Sequence, residues 1–108
     1  RLDGYIKNIW DWVQGDHYYK NKTTLIVTTD HGRGHEPIDY WRHHGSNVKG
    51  AEKVWIAVIG PDTPATGEVN NSRTIYSSQI AKTISTLLGV NYTNKEPVGD
   101  LIKEIIYD

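Results

Sequence analysis

The sequence predicts an α/β fold with mostly parallel strands, and three observations predict it. Two continuous apolar runs, Leu25-Ile26-Val27 between threonines and Val54-Trp55-Ile56-Ala57-Val58-Ile59, have the length and β-branched content of strands covered on both faces. Two stretches of helical periodicity, at residues 3 to 14 and at about 77 to 88, bracket them. The resulting order of helix, strand, long loop, strand, helix and tail is that of a layered α/β unit.

The first helix rests on Ile6, Ile9, Trp10 and Val13, spaced i, i+3, i+4 and i+7 on one face. Asp3 is the expected N-cap and Gly15 the expected stop, with Lys7, Asp11 and Gln14 on the other side. Residues 16 to 23 are polar apart from Tyr18 and Tyr19. They read as a surface connection in which His17 stands alone. The strand at residues 24 to 29 follows. Residues 30 to 50 then show little regular pattern, yet they hold Gly32, Gly34, Gly45, Gly50 and four of the five histidines. A long irregular loop of that composition in a compact domain points to function.

Gly60-Pro61 closes the second strand, and residues 62 to 74 form a loop rich in Pro, Gly, Thr and Asn. Ser77 or Ser78 is expected to cap the second helix. Ile80, Ile84, Leu87 and Leu88 form its apolar stripe, and Gly89 ends it. The tail, with Leu101, Ile102, Ile105 and Ile106, fits a short helix or a strand.

At 108 residues the chain allows one modest domain. With 37% hydrophobic residues, 7 Tyr, 4 Trp and no Phe, Met or Cys, the core must rest on aliphatics and a few large aromatics. Lys and Arg number 12 against 13 Asp and Glu. That balance gives no electrostatic case for binding nucleic acid or a membrane surface. No apolar run approaches the roughly 20 residues of a membrane span. The absence of cysteine excludes disulfides and thiolate metal sites and leaves the compartment open. Sequons occur at Asn21, Asn70 and Asn91, at a frequency that chance explains as well as glycosylation. Arg1-Leu2-Asp3 reads as the interior of an element, so a piece of a longer chain is expected. Two parallel strands alone make no stable sheet, which adds to that expectation.

Asp30 and His31 stand where the first strand ends, the place where ligand sites gather in open α/β sheets. A carboxylate beside an imidazole suits zinc, manganese or iron. Adjacent residues on a regular strand point to opposite faces, but a turn permitted by Gly32 lets both converge. His43 and His44 offer a third ligand, and spacing alone favours neither. His35, Glu36 and Asp39 could orient ligands by hydrogen bonding or be plain loop residues. Arg33 and Arg42 could fork onto phosphate or sulfate oxygens, or be solvated. No Gly-x-Gly-x-x-Gly, phosphate-binding P-loop, Gly-x-Ser-x-Gly elbow or His-Glu-x-x-His is present.

The stretch from Thr24 to Gly34, with Asp30-His31-Gly32 at its end, resembles the strand-and-ligand segment of the alkaline phosphatase superfamily. That superfamily includes phosphatases, sulfatases, nucleotide pyrophosphatase/phosphodiesterases and cofactor-independent phosphoglycerate mutases. His44-Gly45 looks like its later histidine ligand. Residues 50 to 61 look like the strand that follows, and residues 79 to 89 like the next helix. The resemblance implies a three-layer α/β/α sandwich, with residues 1 to 108 as one α/β unit in the C-terminal part of a larger catalytic domain. It also implies two divalent ions, zinc or manganese. Asp30 and His31 would serve one and His44 the other, and Arg33, Arg42, His43 and His35 would lie near the substrate. The substrate would be a small phosphate or sulfate ester, and a covalent intermediate would form on a nucleophile supplied from upstream. The compartment is open, a periplasmic or secreted parent being compatible.

The 108 residues alone are then expected to be inactive, to hold metal weakly and to self-associate through an exposed sheet edge. The alternative is a non-catalytic α/β module that binds an anion or a protein partner through loop 30 to 50.

Overall fold

The computed structural model describes residues 1–71 and 73–107. By backbone proximity the chain divides into two compact units, residues 1–25 with 58–108, and residues 26–57.

In the first unit, helix α1 spans Leu2–Gly15. Its N-cap is Arg1, and Asp3 lies in the first turn, where its charge meets the positive end of the helix dipole. Gly15 is the last helical residue, and the chain leaves through Asp16 in an extended conformation. Asp16 Oδ1 accepts the backbone N–H of Tyr18 at 2.8 Å, an Asx turn that redirects the chain. Of the expected apolar face only Val13 is buried, and Ile9 remains 52% exposed.

Helix α2 spans Ile80–Leu87, preceded by a 3-10 turn at Ser77–Gln79. The serines lie inside that turn rather than capping the helix. The start is closed instead by the Gln79 side chain, whose Oε1 accepts the Tyr76 N–H at 2.7 Å. Gly89, at φ +70, makes the left-handed exit its lack of Cβ permits. The expected stripe is not what α2 buries: Ile84 and Leu88 are exposed, whereas Gln79, Thr83 and Ser85 are buried.

The reason lies in the tail, which runs as extended chain with one 3-10 turn at Lys103–Ile105. Thr83 Oγ1 accepts the N–H of Ile102 at 3.0 Å and donates to the Gln79 carbonyl at 2.8 Å. Gln79 Nε2 donates to the Asp100 carbonyl at 3.0 Å. These two side chains, one turn apart, grip the tail through its backbone. Ile102 and Ile105 are thereby driven inside, at 1% and 6% exposure. Gly99 is required at the entry, because a Cβ there would meet the Ser78 and Gln79 backbone at 2.8–2.9 Å.

The two strands, β1 at Leu25–Thr28 and β2 at Ile56–Ile59, form a two-stranded sheet. It is antiparallel. Thr24, before β1, lies against Gly60, after β2, while Thr28 Oγ1 at the far end donates to the Trp55 carbonyl at 2.7 Å. The expected three-layer α/β/α sandwich with mostly parallel strands is therefore wrong for this chain. The described residues hold two α-helices and this one antiparallel pair. An apolar β-branched run reads alike in a central parallel strand and in a half-covered antiparallel one. The covering layers decide, and no residue of β1 or β2 is buried. The alternation of half-buried and exposed residues along β2 is that of a one-sided strand.

Candidate metal and anion site in loop 30–50

The expected sites all fall in the second unit, on a loop more ordered than its sequence indicates. Beyond β1 the two arms continue antiparallel: Gly32 N–H donates to the Ala51 carbonyl at 2.7 Å and His35 N–H to the Lys49 carbonyl at 3.2 Å. Between them lies a 3-10 turn at Ile38–Arg42, and Gly34 N–H reaches the His43 carbonyl at 3.0 Å. The glycines make this closeness possible. A Cβ on Gly32 would strike the carbonyls of Gly50 and Lys53, and one on Gly34 the carbonyl of Tyr40. Glu52 locks the return arm by accepting the Gly50 N–H at 2.8 Å. Backbone N–H groups, its own first and then that of Gly50, hold its carboxyl below the usual glutamate range.

Asp30 and His31 are oriented by their own backbone. His31 N–H donates to Asp30 Oδ1 at 2.9 Å, leaving Oδ2 facing His31 Nε2 at 3.6 Å. The His31 ring lies 2.7 Å, through Nδ1, from the Gly32 carbonyl. A carbonyl only accepts, so in the neutral ring Nδ1 carries the proton and Nε2 keeps its lone pair. That is how a metal-binding imidazole is commonly prepared.

His44 joins them. Its ring is stacked on that of His31, with centroids 3.8 Å apart and planes 11° from parallel. Geometry thus distinguishes the two histidines that spacing left open: His43 packs edge-on against Tyr40, with ring centroids 5.3 Å apart. His35 lies 3.8 Å from Glu36, which also pairs with Lys49 at 2.7 Å. Arg33 and Arg42 share another partner, Trp41, with guanidinium carbons 5.6 and 4.9 Å from its ring centroid. Trp41 and the Gly32 carbonyl carry no signal in the sequence as site groups. The only hint is the adjacency of aromatic and basic residues in Tyr40-Trp41-Arg42-His43.

The donor set of one carboxylate and two imidazoles fits a borderline ion such as zinc or manganese. Among the described residues no three metal-capable side chains gather in a geometry that could hold an ion. The stack gives the reason. A metal bonds imidazole nitrogen in the plane of the ring, and two nearly parallel planes share no such point. His31 and His44 cannot both bind one ion as they stand. No family model, curated protein or solved structure matches this chain. No helix among the described residues is long and apolar enough to cross a membrane.

Proposed function

We propose that the chain supplies two corners of a two-metal site that acts on phosphate or sulfate esters, by hydrolysis or by mutase-like transfer. Asp30 and His31 would hold one ion and His44 the other. The observation that carries this reading is the stack. As it stands it prevents the two imidazoles from sharing an ion, so each would serve a different one. The resemblance of residues 24 to 34 to the alkaline phosphatase superfamily points the same way.

In this reading the chain's own groups orient and bind. The Gly32 carbonyl fixes the His31 tautomer so that Nε2 is free. The His31 N–H holds Asp30 Oδ1 and leaves Oδ2 beside His31 Nε2. The ions, when bound, would offset charge on the attacking and leaving oxygens. The nucleophile and the remaining ligands would come from polypeptide outside these residues, since two or fewer ligands per ion close no site.

The test is turnover of an aryl phosphate and an aryl sulfate by the complete natural polypeptide with zinc or manganese. Replacing a residue that merely orients a ligand costs roughly 10–100-fold in affinity or activity, so His44→Ala should cost at least as much. Undiminished turnover with His44→Ala would refute the role. The second reading is a module that binds an anion or a protein through loop 30 to 50, where Arg33 and Arg42 lie over the exposed Trp41. It is the one left standing if no polypeptide carrying this chain turns over either ester.

A further inference from the structure

Arg33 and Arg42 belong to separate arms of the loop, yet both guanidiniums lie over Trp41. The Gly34–His43 backbone bond pins the arms one residue beyond each arginine, and the 3-10 turn carries Trp41 and Arg42 together. Two like charges drawn to one ring repel each other. Among the described residues neither arginine is ion-paired, Glu36 is engaged by Lys49, and the acidic residue of the same turn is Asp39. Stacking on an aromatic face occupies the flat side of a guanidinium and leaves its N–H edge free to fork onto oxyanions. The ring removes part of the freedom a long side chain would otherwise lose on binding. Trp41 is itself half exposed, so the cluster is open to a ligand.

The geometry points to an oxyanion clamp in which Trp41 positions Arg33 and Arg42 to bind a dianionic phosphoryl group in preference to a sulfate monoester. This rests on the ester-processing reading and narrows it. The clamp presents two positive charges. A phosphate monoester carries about −1.5 to −2 near neutral pH, with its second ionisation near pH 6, whereas a sulfate monoester carries only one negative charge. Bidentate donation from both guanidiniums favours the more highly charged tetrahedral group. The preference should fade below the second ionisation, where the two esters carry equal charge.

The test uses methyl phosphate and methyl sulfate against the full chain, with a chelator present. Binding is read from the arginine Nε–H and tryptophan indole N–H resonances. Methyl phosphate should shift the signals of Arg33, Arg42 and Trp41 and bind at least tenfold more tightly than methyl sulfate at pH 7.5. The difference should close at pH 5. Arg33→Ala with Arg42→Ala should abolish the binding, and both residues are exposed, so retained amide dispersion will report an intact fold. Trp41→Ala should weaken binding about tenfold, and Trp41→Phe, which keeps a ring, should restore most of it. Equal affinities, shifts that survive in the double variant, or no shifts at all would each overturn the clamp. With metal chelated, those outcomes leave the roles of His31 and His44 to the turnover assay, so the two failures are distinguishable.

Discussion

The imidazole of His44 lies flat against that of His31, 3.8 Å away and 11° from parallel. Each ring can offer a lone pair only in its own plane. The chain alone should therefore bind zinc or manganese without forming a closed site. Calorimetric titration should show weak binding with no stoichiometric break. If the rings serve different ions, as proposed, His31→Ala and His44→Ala should each reduce it independently. A tight, stoichiometric isotherm abolished by either substitution would mean that the rings separate and share one ion.

Gly32 supports His31 from beneath. Its N–H reaches the Ala51 carbonyl, its carbonyl fixes the His31 tautomer, and a Cβ would meet two backbone carbonyls. Backbone cannot swing aside as a flexible side chain does. Gly32→Ala should cost about 1–3 kcal/mol, the scale of overpacking a tight contact. It should also displace the His31 ring. Denaturant unfolding gives the first quantity, and loss of the ring-current shift between His31 and His44 reports the second. A variant as stable as the parent, with the stack intact, would contradict the close approach.

The elements were legible where a local pattern creates them. Periodicity places both helices, the glycines place their ends, and the apolar runs place both strands within a few residues. Strand direction was not legible, because Leu25-Ile26-Val27 reads alike under one covering layer or two. The buried face of α2 was missed for a different reason. Its lining is polar, and Gln79 and Thr83 are buried because the tail's backbone, a distant partner in sequence, needs their hydrogen bonds. At the candidate site, the expected turn at Gly32 is absent: the chain bends at Asp30 and runs on through Gly32 as an antiparallel arm. Which of His43 and His44 stacks on His31 could not be read from the sequence, since it depends on the fold-back at Gly34 and His43. The placing of both Arg33 and Arg42 over Trp41 was not legible, because it arises only once the chain folds back.

Thr83 and Thr63 are both buried, at 1% and 8% exposure, and differ in what their hydroxyls do. Thr83 Oγ1 makes two hydrogen bonds, and Thr63 Oγ1 has no partner among the described residues. The same substitution should therefore have opposite signs. Thr83→Val leaves the Ile102 N–H unpaired in the interior and should destabilise by about 1–3 kcal/mol. Thr63→Val removes an unsatisfied hydroxyl and should be neutral or stabilising by up to about 1 kcal/mol. Chemical denaturation of the two variants side by side checks the contrast, and equal losses would refute it.

Glu104 ties the 3-10 turn of the tail to an upstream loop. Its Oε1 accepts from Asn71 Nδ2 at 3.0 Å, its Oε2 pairs with Arg73, and its side chain is 21% exposed. Its carboxyl is held below the usual glutamate range. Its own backbone N–H is the largest cause, and the Asn71 and Arg73 contacts add to it against the opposing effect of burial. A group whose folded value is lowered favours the folded state once it is ionised in the unfolded chain. Its contribution is therefore complete above the ordinary glutamate range and is lost as pH falls through the lowered value. Acidification through that window should release the tail before the rest of the chain unfolds, with faster amide exchange at Ile105 and Ile106. Glu104→Gln should be less stable than the parent at neutral pH. Its denaturation midpoint should also vary less with pH through that window. If parent and variant lose stability in parallel on acidification, Glu104 does not govern the tail's attachment.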